Sequence, residues 1–391
     1  MGASRSAGQV VRGPLAPFEA EFRVDLARVG YTSRSVRDLV YVMAGVSRWL
    51  EQRACAVSGL TPEVVAELRG QVSGVGPVLR FLGDAGVFGG SAAVGPVEVL
   101  VAEFRTWLGA QRGLSAVTVS CYGKQARVFL ALLPEPLEVS LARLDAGQVT
   151  SFMLDYCRDR NTWSAKAMVT AMRALLRFLH VAGRVPVLLA GAVPSVAGWR
   201  LASLPRGLAA GQVELLLQSC DRDTIVGRRD YAILVLLARL GLRSAEVAAV
   251  EMGDIDWRSG EVTIRGKGNR IERLPLPVDV GEALANYVSA GRPRRDSTAV
   301  FLTTRAPYRR LSIAGVRAVV GYSCRRAGMP RVGAHRLRHT LATDMLRAGA
   351  RLAEVGQVLR HRSQLSTSVY AKVDENALRV LARQWPGGGA A

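Results

Sequence analysis

The sequence predicts a mainly α fold with a small antiparallel β-sheet. Three observations carry this. Apolar residues recur at three- and four-residue spacing through most of the chain, which is the period of a half-buried helix. One stretch, Glu261 to Leu276, instead breaks into two short runs around Gly266-Lys267-Gly268-Asn269-Arg270, a glycine-punctuated hairpin turn. The longest apolar run, Tyr231 to Ala238, is far too short to span a bilayer and reads as a core helix. The chain has 391 residues, of which 49% are hydrophobic, enough to bury the cores of two or three domains.

Taken in order, residues 1–15 are polar and glycine-rich and are expected to be flexible. Residues 16–90 form a first helical module, with helical patterning from Pro17 to Val87. Gly86 to Gly95 has linker composition. A second helical block occupies residues 96–186, and residues 187–207, rich in Pro, Gly and Ala, read as a linker. Residues 208–384 are mixed. Helices are expected at Gln212–Ser219, Arg229–Leu240, Val278–Ser289, Ile313–Arg326, His335–Ala348, Leu352–Leu359 and Ala377–Gln384. Strands are expected at Glu261–Arg265 and Ile271–Leu276. Residues 385–391 form a flexible tail.

The two helical blocks resemble each other. Ala20-Glu21-Phe22-Arg23 with Leu26 recurs as Ala102-Glu103-Phe104-Arg105 with Leu108. Leu79-Arg80-Phe81-Leu82, then Ala85-Gly86, recurs as Leu176-Arg177-Phe178-Leu179, then Ala182-Gly183. A duplicated helical module accounts for the order of these pieces. The competing account is the general likeness of amphipathic helices.

Net charge is +20, which points to a polyanionic partner and above all to nucleic acid. An arginine-rich proteome is the plainer explanation. Lysine stands only at Lys124, Lys166, Lys267 and Lys372, so each is a candidate for work that needs a removable proton, which arginine cannot do. The five cysteines are scattered without a CxxC pair, which argues against a zinc cluster or a disulfide scaffold. The opening Met-Gly-Ala-Ser-Arg-Ser fits a myristoylation pattern, but no other feature points to a membrane.

Histidine occurs only at His180, His335, His339 and His361. His335, Arg338 and His339 share one helical face. A metal site would need carboxylates or thiolates there, and the HExxH glutamate is missing. An arginine amid the histidines favours a phosphate over a divalent cation. No metal or cofactor is expected.

The stretch Gly333-Ala334-His335-Arg336-Leu337-Arg338-His339-Thr340-Leu341-Ala342-Thr343, then Gly349, Leu359-Arg360-His361-Arg362-Ser363, Thr367 and Tyr370, resembles the C-terminal signature of the tyrosine recombinases, the phage-integrase family. Gly241-Leu242-Arg243-Ser244-Ala245-Glu246-Val247 is similar to that family's first arginine box, without its threonine. Gly266-Lys267-Gly268-Asn269-Arg270 followed by Leu274-Pro275-Leu276-Pro277 is similar to its β-hairpin lysine segment. The likeness spans about residues 96 to 384. It departs in having Leu359-Arg360-His361 where the family usually has Leu-Gly-His, and in carrying a second helical module. Glycine suits a left-handed helix-to-helix turn; Arg360 fits if its backbone is not left-handed, with its charge then free to face DNA.

The resemblance implies one or two helical core-binding (SAM-like) modules and an α+β catalytic domain that together clamp double-stranded DNA. It implies a site-specific recombinase, an integrase or transposase, that cleaves and rejoins DNA through a 3′-phosphotyrosyl intermediate. Tyr370 is its nucleophile, Arg243 and Arg338 clamp the phosphate, Lys267 is the general acid, and His335 and His361 complete the pocket. Glu246 orients Arg243, and His339 has a supporting, structural place. Candidate DNA contacts are Arg112, Lys124, Arg127, Lys166, Arg173, Arg270 and Arg360. The family also implies a homotetramer on synapsed sites, leaves room for accessory recombinase or DNA-bending proteins, and places the work in the bacterial cytoplasm, at the nucleoid when DNA-bound. Rival readings are a type IB topoisomerase, which relaxes supercoils without a defined site, and a catalytically silent DNA-binding accessory protein. A metal-dependent nuclease is disfavoured for want of paired carboxylates near the histidines.

Overall fold

The computed structural model describes residues 10–87, 95–197, 207–266 and 270–360. The described residues are mainly helical, with one three-stranded antiparallel sheet. They group into two compact units. One gathers the described parts of Met1–Ala54, Gly70–Phe81 and Ser203–Ala391; the other gathers those of Cys55–Arg69 and Leu82–Ala202.

The first four helices are α1 (Glu19–Arg28), α2 (Ser33–Gln52), α3 (Pro62–Gln71) and α4 (Gly76–Asp84). Helix α2 starts where the Thr32 hydroxyl accepts the Ser35 N–H at 3.2 Å, satisfying a donor that the first turn leaves orphaned. Val40, Met43, Ala44, Ser47 and Leu50 make its buried stripe, at the spacing of one helical face. After α1 the chain turns at Gly30, φ +98, where a Cβ would lie 2.3 Å from the Tyr308 ring. The neighbouring Val29 carbonyl accepts the Tyr308 N–H at 3.1 Å. This turn therefore needs a residue with neither a side chain nor a right-handed backbone.

The next helices are α5 (Pro96–Ala110), α6 (Ala116–Leu130), α7 (Leu137–Ala142), α8 (Ala146–Arg158) and α9 (Thr162–Val181). Asp145 and Gln148 form a reciprocal capping box at the start of α8, and the Asn161 side chain caps α9. Their core centres on Phe104, Leu108, Phe129, Met172 and Leu179.

The repeated sequence pieces adopt matching geometry. Phe22 packs on Phe81 with ring centroids 5.1 Å apart and planes 50° apart. Phe104 packs on Phe178 at 5.5 Å and 41°. Both C-terminal pieces turn at a glycine with φ +67, Gly86 and Gly183. In both, the following N–H reaches back to a helix carbonyl, Val87 to Leu82 at 3.0 Å and Arg184 to Leu179 at 2.8 Å. This is the glycine-ended stop in which the last carbonyls are capped by backbone.

The remaining elements are α10 (Gln212–Gln218), α11 (Ile225–Arg239), α12 (Ser244–Ala249), β1 (Ile255–Asp256), β2 (Glu261–Arg265), β3 (Ile271–Pro275), α13 (Val278–Ala290), α14 (Ile313–Arg326), α15 (Ala334–Arg347) and α16 (Leu352–Val358). Residues Ala232 to Ala238 of α11 are all buried, as expected of a helix that is apolar all round. They form one core with Tyr287, Phe301, Val320 and Leu337. The expected start at Arg229 falls short, because Thr224 caps the helix by accepting the Gly227 N–H at 3.0 Å. The sheet order is β1-β2-β3, with Val262 opposite Leu274 and Arg265 opposite Ile271. The first expected strand coincides with β2 and the second with β3, which ends one residue earlier at Pro275; the two-residue β1 has too little pattern to be seen in sequence. Gly266 N–H donates to the Arg270 carbonyl at 2.8 Å and closes the hairpin. Among the described residues no helix is long and apolar enough to cross a membrane.

Candidate active site

The loop Leu240–Arg243 leads from α11 into α12 and forms the floor of the site. It turns at Gly241, φ +57, where a Cβ would stand 2.9 Å from Leu359 and 3.0 Å from Leu341. Arg243 is the N-cap residue of α12. Its backbone N–H donates to Glu246 at 2.9 Å and its Nη1 donates to the same carboxylate at 2.6 Å. The Arg243 side chain keeps 33% of its surface open, while that of Glu246 keeps 3%. Glu246 is thus a buried anchor under a partly exposed guanidinium.

Arg338 approaches the same loop from α15. It is 3% exposed. Its Nη1 donates to the Gly241 carbonyl at 2.5 Å, and its Nη2 donates to the Leu359 carbonyl. These two bonds fix the plane of the guanidinium and tie α15 to the arginine loop and to the end of α16. They also make Arg338 more deeply enclosed than a surface phosphate contact.

Helix α15 begins at Ala334, so His335 lies in its first turn and is exposed. The His335 and His339 rings are 6.2 Å apart. Desolvation, then the charges of Arg338, Arg243 and Arg317, push the His335 pKa below 6.5, with Glu246 pulling the other way. Desolvation, then His335, Arg338 and Arg336, lower that of His339. Both shifts favour the neutral imidazole. Burial alone would raise the Glu246 carboxyl, but the Arg243 backbone bond and the charges of Arg360 and Arg243 hold it below the usual carboxylate value.

Arg360 does not meet the condition under which its charge could face DNA. Its backbone is left-handed, φ 55, and its charge does not face outward. The side chain is 5% exposed and its Nη2 meets Glu246 at 2.9 Å. Its Nε lies 3.4 Å from Glu272 of β3. Its charge is thus matched by two carboxylates inside the protein. Sequence reading missed Glu272 altogether, since an acidic residue on a hairpin strand has no signal of its own. It also missed Arg317.

Arg243, Glu246, His335, Arg338, His339 and Arg360 thus converge. Lys267, His361 and Tyr370 lie outside the described residues. Arg270 is exposed beside the hairpin tip. In the helical unit, Arg112 and Arg173 line one surface depression with Arg177 and Tyr122. Arg173 also donates to the Val193 carbonyl at 2.9 Å and to Ser195 at 3.0 Å, and Arg127 pairs with Glu98 at 2.5 Å. Both are partly committed inside the unit. Lys124 is exposed and Lys166 half-buried, and neither lines the depression. No group of three or more metal-ligating side chains occurs among the described residues.

Comparison with known proteins agrees with this geometry. Residues 206–377 match the family model described as the phage integrase family. The integrase/recombinase y4rA of Sinorhizobium fredii is 40% identical, over 96% of this chain and 95% of that one. The tyrosine recombinase XerD of Mycobacterium tuberculosis is 32% identical, over 71% of this chain and 93% of its own. The solved structure of a lambda integrase tetramer bound to a Holliday junction aligns with a TM-score of 0.54 at 16% identity, covering 74% of this chain and 79% of that one; at that identity it speaks to fold alone.

Proposed function

The chain belongs to the phage integrase family of tyrosine recombinases, and from that premise we propose that it is a site-specific DNA recombinase acting through Tyr370. The observation that carries the reading is the convergence of Arg243 and Arg338 on one loop. Arg338 grips the Gly241 carbonyl, and Glu246 orients Arg243.

In this reading the scissile phosphate of double-stranded DNA docks against the open side of Arg243, with Arg338 behind it. Attack by the Tyr370 hydroxyl builds negative charge on the non-bridging oxygens, which fixed guanidinium donors stabilise. The P–O5′ bond breaks as the Tyr370 Oη–P bond forms. The leaving 5′ oxygen takes a proton from Lys267, and the tyrosine proton passes to neutral His335. His361 hydrogen-bonds the phosphate. The phosphotyrosyl ester keeps the energy of the broken phosphodiester, so a free 5′-hydroxyl can reverse the step without ATP.

The helical unit would carry the second half of the DNA grip, with Arg112 and Arg173 at its depression. A homotetramer on two synapsed sites completes the strand exchange. The protein then works in the bacterial cytoplasm on chromosomal or mobile DNA, with or without accessory recombinase or DNA-bending proteins.

The test is a nicked suicide duplex carrying the candidate site, resolved on a denaturing gel. A covalent protein–DNA adduct is expected without magnesium, and none with Tyr370→Phe. An adduct that persists in that variant removes Tyr370 as the nucleophile. Relaxation of supercoiled plasmids lacking the site would favour the topoisomerase reading instead.

A further inference from the structure

Arg360 occupies the left-handed position at the end of α16, φ 55, with a side chain that glycine lacks. That backbone is unfavourable for any residue bearing a Cβ and persists where other contacts compensate. Here the contacts come from three elements. Nη1 reaches the Leu240 carbonyl at the end of α11 at 3.5 Å. Nη2 donates to Glu246 of α12 at 2.9 Å. Nε meets Glu272 of β3 at 3.4 Å. Glu246 in turn holds Arg243, and Glu272 pairs with Ile264 across the β2–β3 hairpin. One buried guanidinium therefore connects the arginine loop to the hairpin.

We propose that Arg360 is a positioning residue that locks Glu246, and through it Arg243, and that fastens the β2–β3 hairpin to the arginine site. The proposal rests on the reading of Arg243 as a phosphate ligand. A DNA-contacting role fits poorly, since the guanidinium charge is already matched by the carboxylates of Glu246 and Glu272. A lysine would not substitute, because a single ammonium lacks the planar fork that bonds the Leu240 carbonyl and Glu246 while keeping its charge beside Glu272.

Arg360→Gly tests this well, because glycine suits the backbone and the fold is expected to survive. In single-turnover cleavage of the suicide duplex, Arg360→Gly should lower the rate by about ten- to hundredfold through misplacement of the site, while duplex affinity stays unchanged. Arg360→Lys should recover only a fraction of that loss. Glu272→Gln should slow cleavage less, and should add little on top of Arg360→Gly, since the two share one interaction. Hydrogen exchange on the DNA-free protein supplies a second reading. Amides of Ile271–Leu274 and Arg243–Val247 should exchange faster in Arg360→Gly, and those of α11 should not.

A wild-type cleavage rate in Arg360→Gly, or an affinity loss as large as the rate loss, would overturn the proposal, as would unchanged exchange in both segments. If wild-type protein forms no adduct at all, the recombinase reading is what fails, and the exchange experiment alone then decides whether Arg360 ties the two segments together.

Discussion

Glu246 holds Arg243 at two points, accepting the backbone N–H at 2.9 Å and the guanidinium at 2.6 Å. One carboxylate therefore starts helix α12 and aims the arginine that α12 presents. Glu246→Ala removes both bonds and also strips Arg360 of its closest carboxylate. Breaking a buried ion pair in this way costs about 3–5 kcal/mol, measurable by urea unfolding, and adduct formation should fall with it.

The same carboxylate gives a pH signature. Its folded-state pKa lies below the ordinary 4.5, so the folded protein binds its proton less readily than the unfolded chain does. The associated stability is present above the unfolded value and drains away as pH falls toward the folded one. The stability gap between wild type and Glu246→Gln should therefore narrow below about pH 4.5. A gap that widens in acid contradicts the assigned shift.

His335 gives the opposite kind of test. Its pKa is lowered from 6.5 by desolvation and by neighbouring guanidiniums, so the ring stays a competent base below the pH at which a free imidazole protonates. The acid limb of the single-turnover cleavage profile should fall below pH 6.5, and His335→Gln should flatten that limb while lowering the rate by about a hundredfold or more. A limb centred above 6.5 would exclude His335 as the group responsible.

Gly241→Ala should be costly out of proportion to one methyl group. The backbone there is left-handed, and the new Cβ would press on Leu359 and Leu341 within 3.0 Å. A loss of about 1–3 kcal/mol is expected, with weaker cleavage, because the Gly241 carbonyl is a partner of Arg338. Thermal unfolding and the adduct assay together check it.

The matching aromatic pairs predict matching penalties. Phe178→Ala and Phe81→Ala each remove a buried ring from a tilted pair, and each should cost about 3–5 kcal/mol in chemical denaturation. A negligible loss at either position would argue against a duplicated module.

Much of this was legible in sequence, for physical reasons that can be named. The hairpin strands were readable because their glycine-punctuated turn is local, and α11 because its apolar run is continuous. The Arg243–Glu246 pair was readable because both residues sit in one turn of helix. What escaped was long-range or conformational. The Thr224 cap is a single hydroxyl ahead of the helix it starts. Arg360 takes the left-handed backbone that glycine would suit, and its acceptors on α12 and β3 become visible only when three separate elements are folded together. The docking of the turn after α1 against Tyr308 leaves no periodic trace at all.

That last contact sets the order in which the protein can be finished. The Val29 carbonyl and the Tyr308 N–H belong to one compact unit whose chain leaves it twice, after Ala54 and after Phe81, and returns for the last time at Ser203. During translation the first helices emerge long before their distant partner exists. At ribosomal speed the intervening synthesis takes roughly 15 to 55 s. Over that interval the intervening helices can mature, while the Gly30 corner waits bare for a surface not yet synthesised. An amino-terminal fragment released early would carry that corner uncovered, and therefore be a natural target for chaperones and proteases.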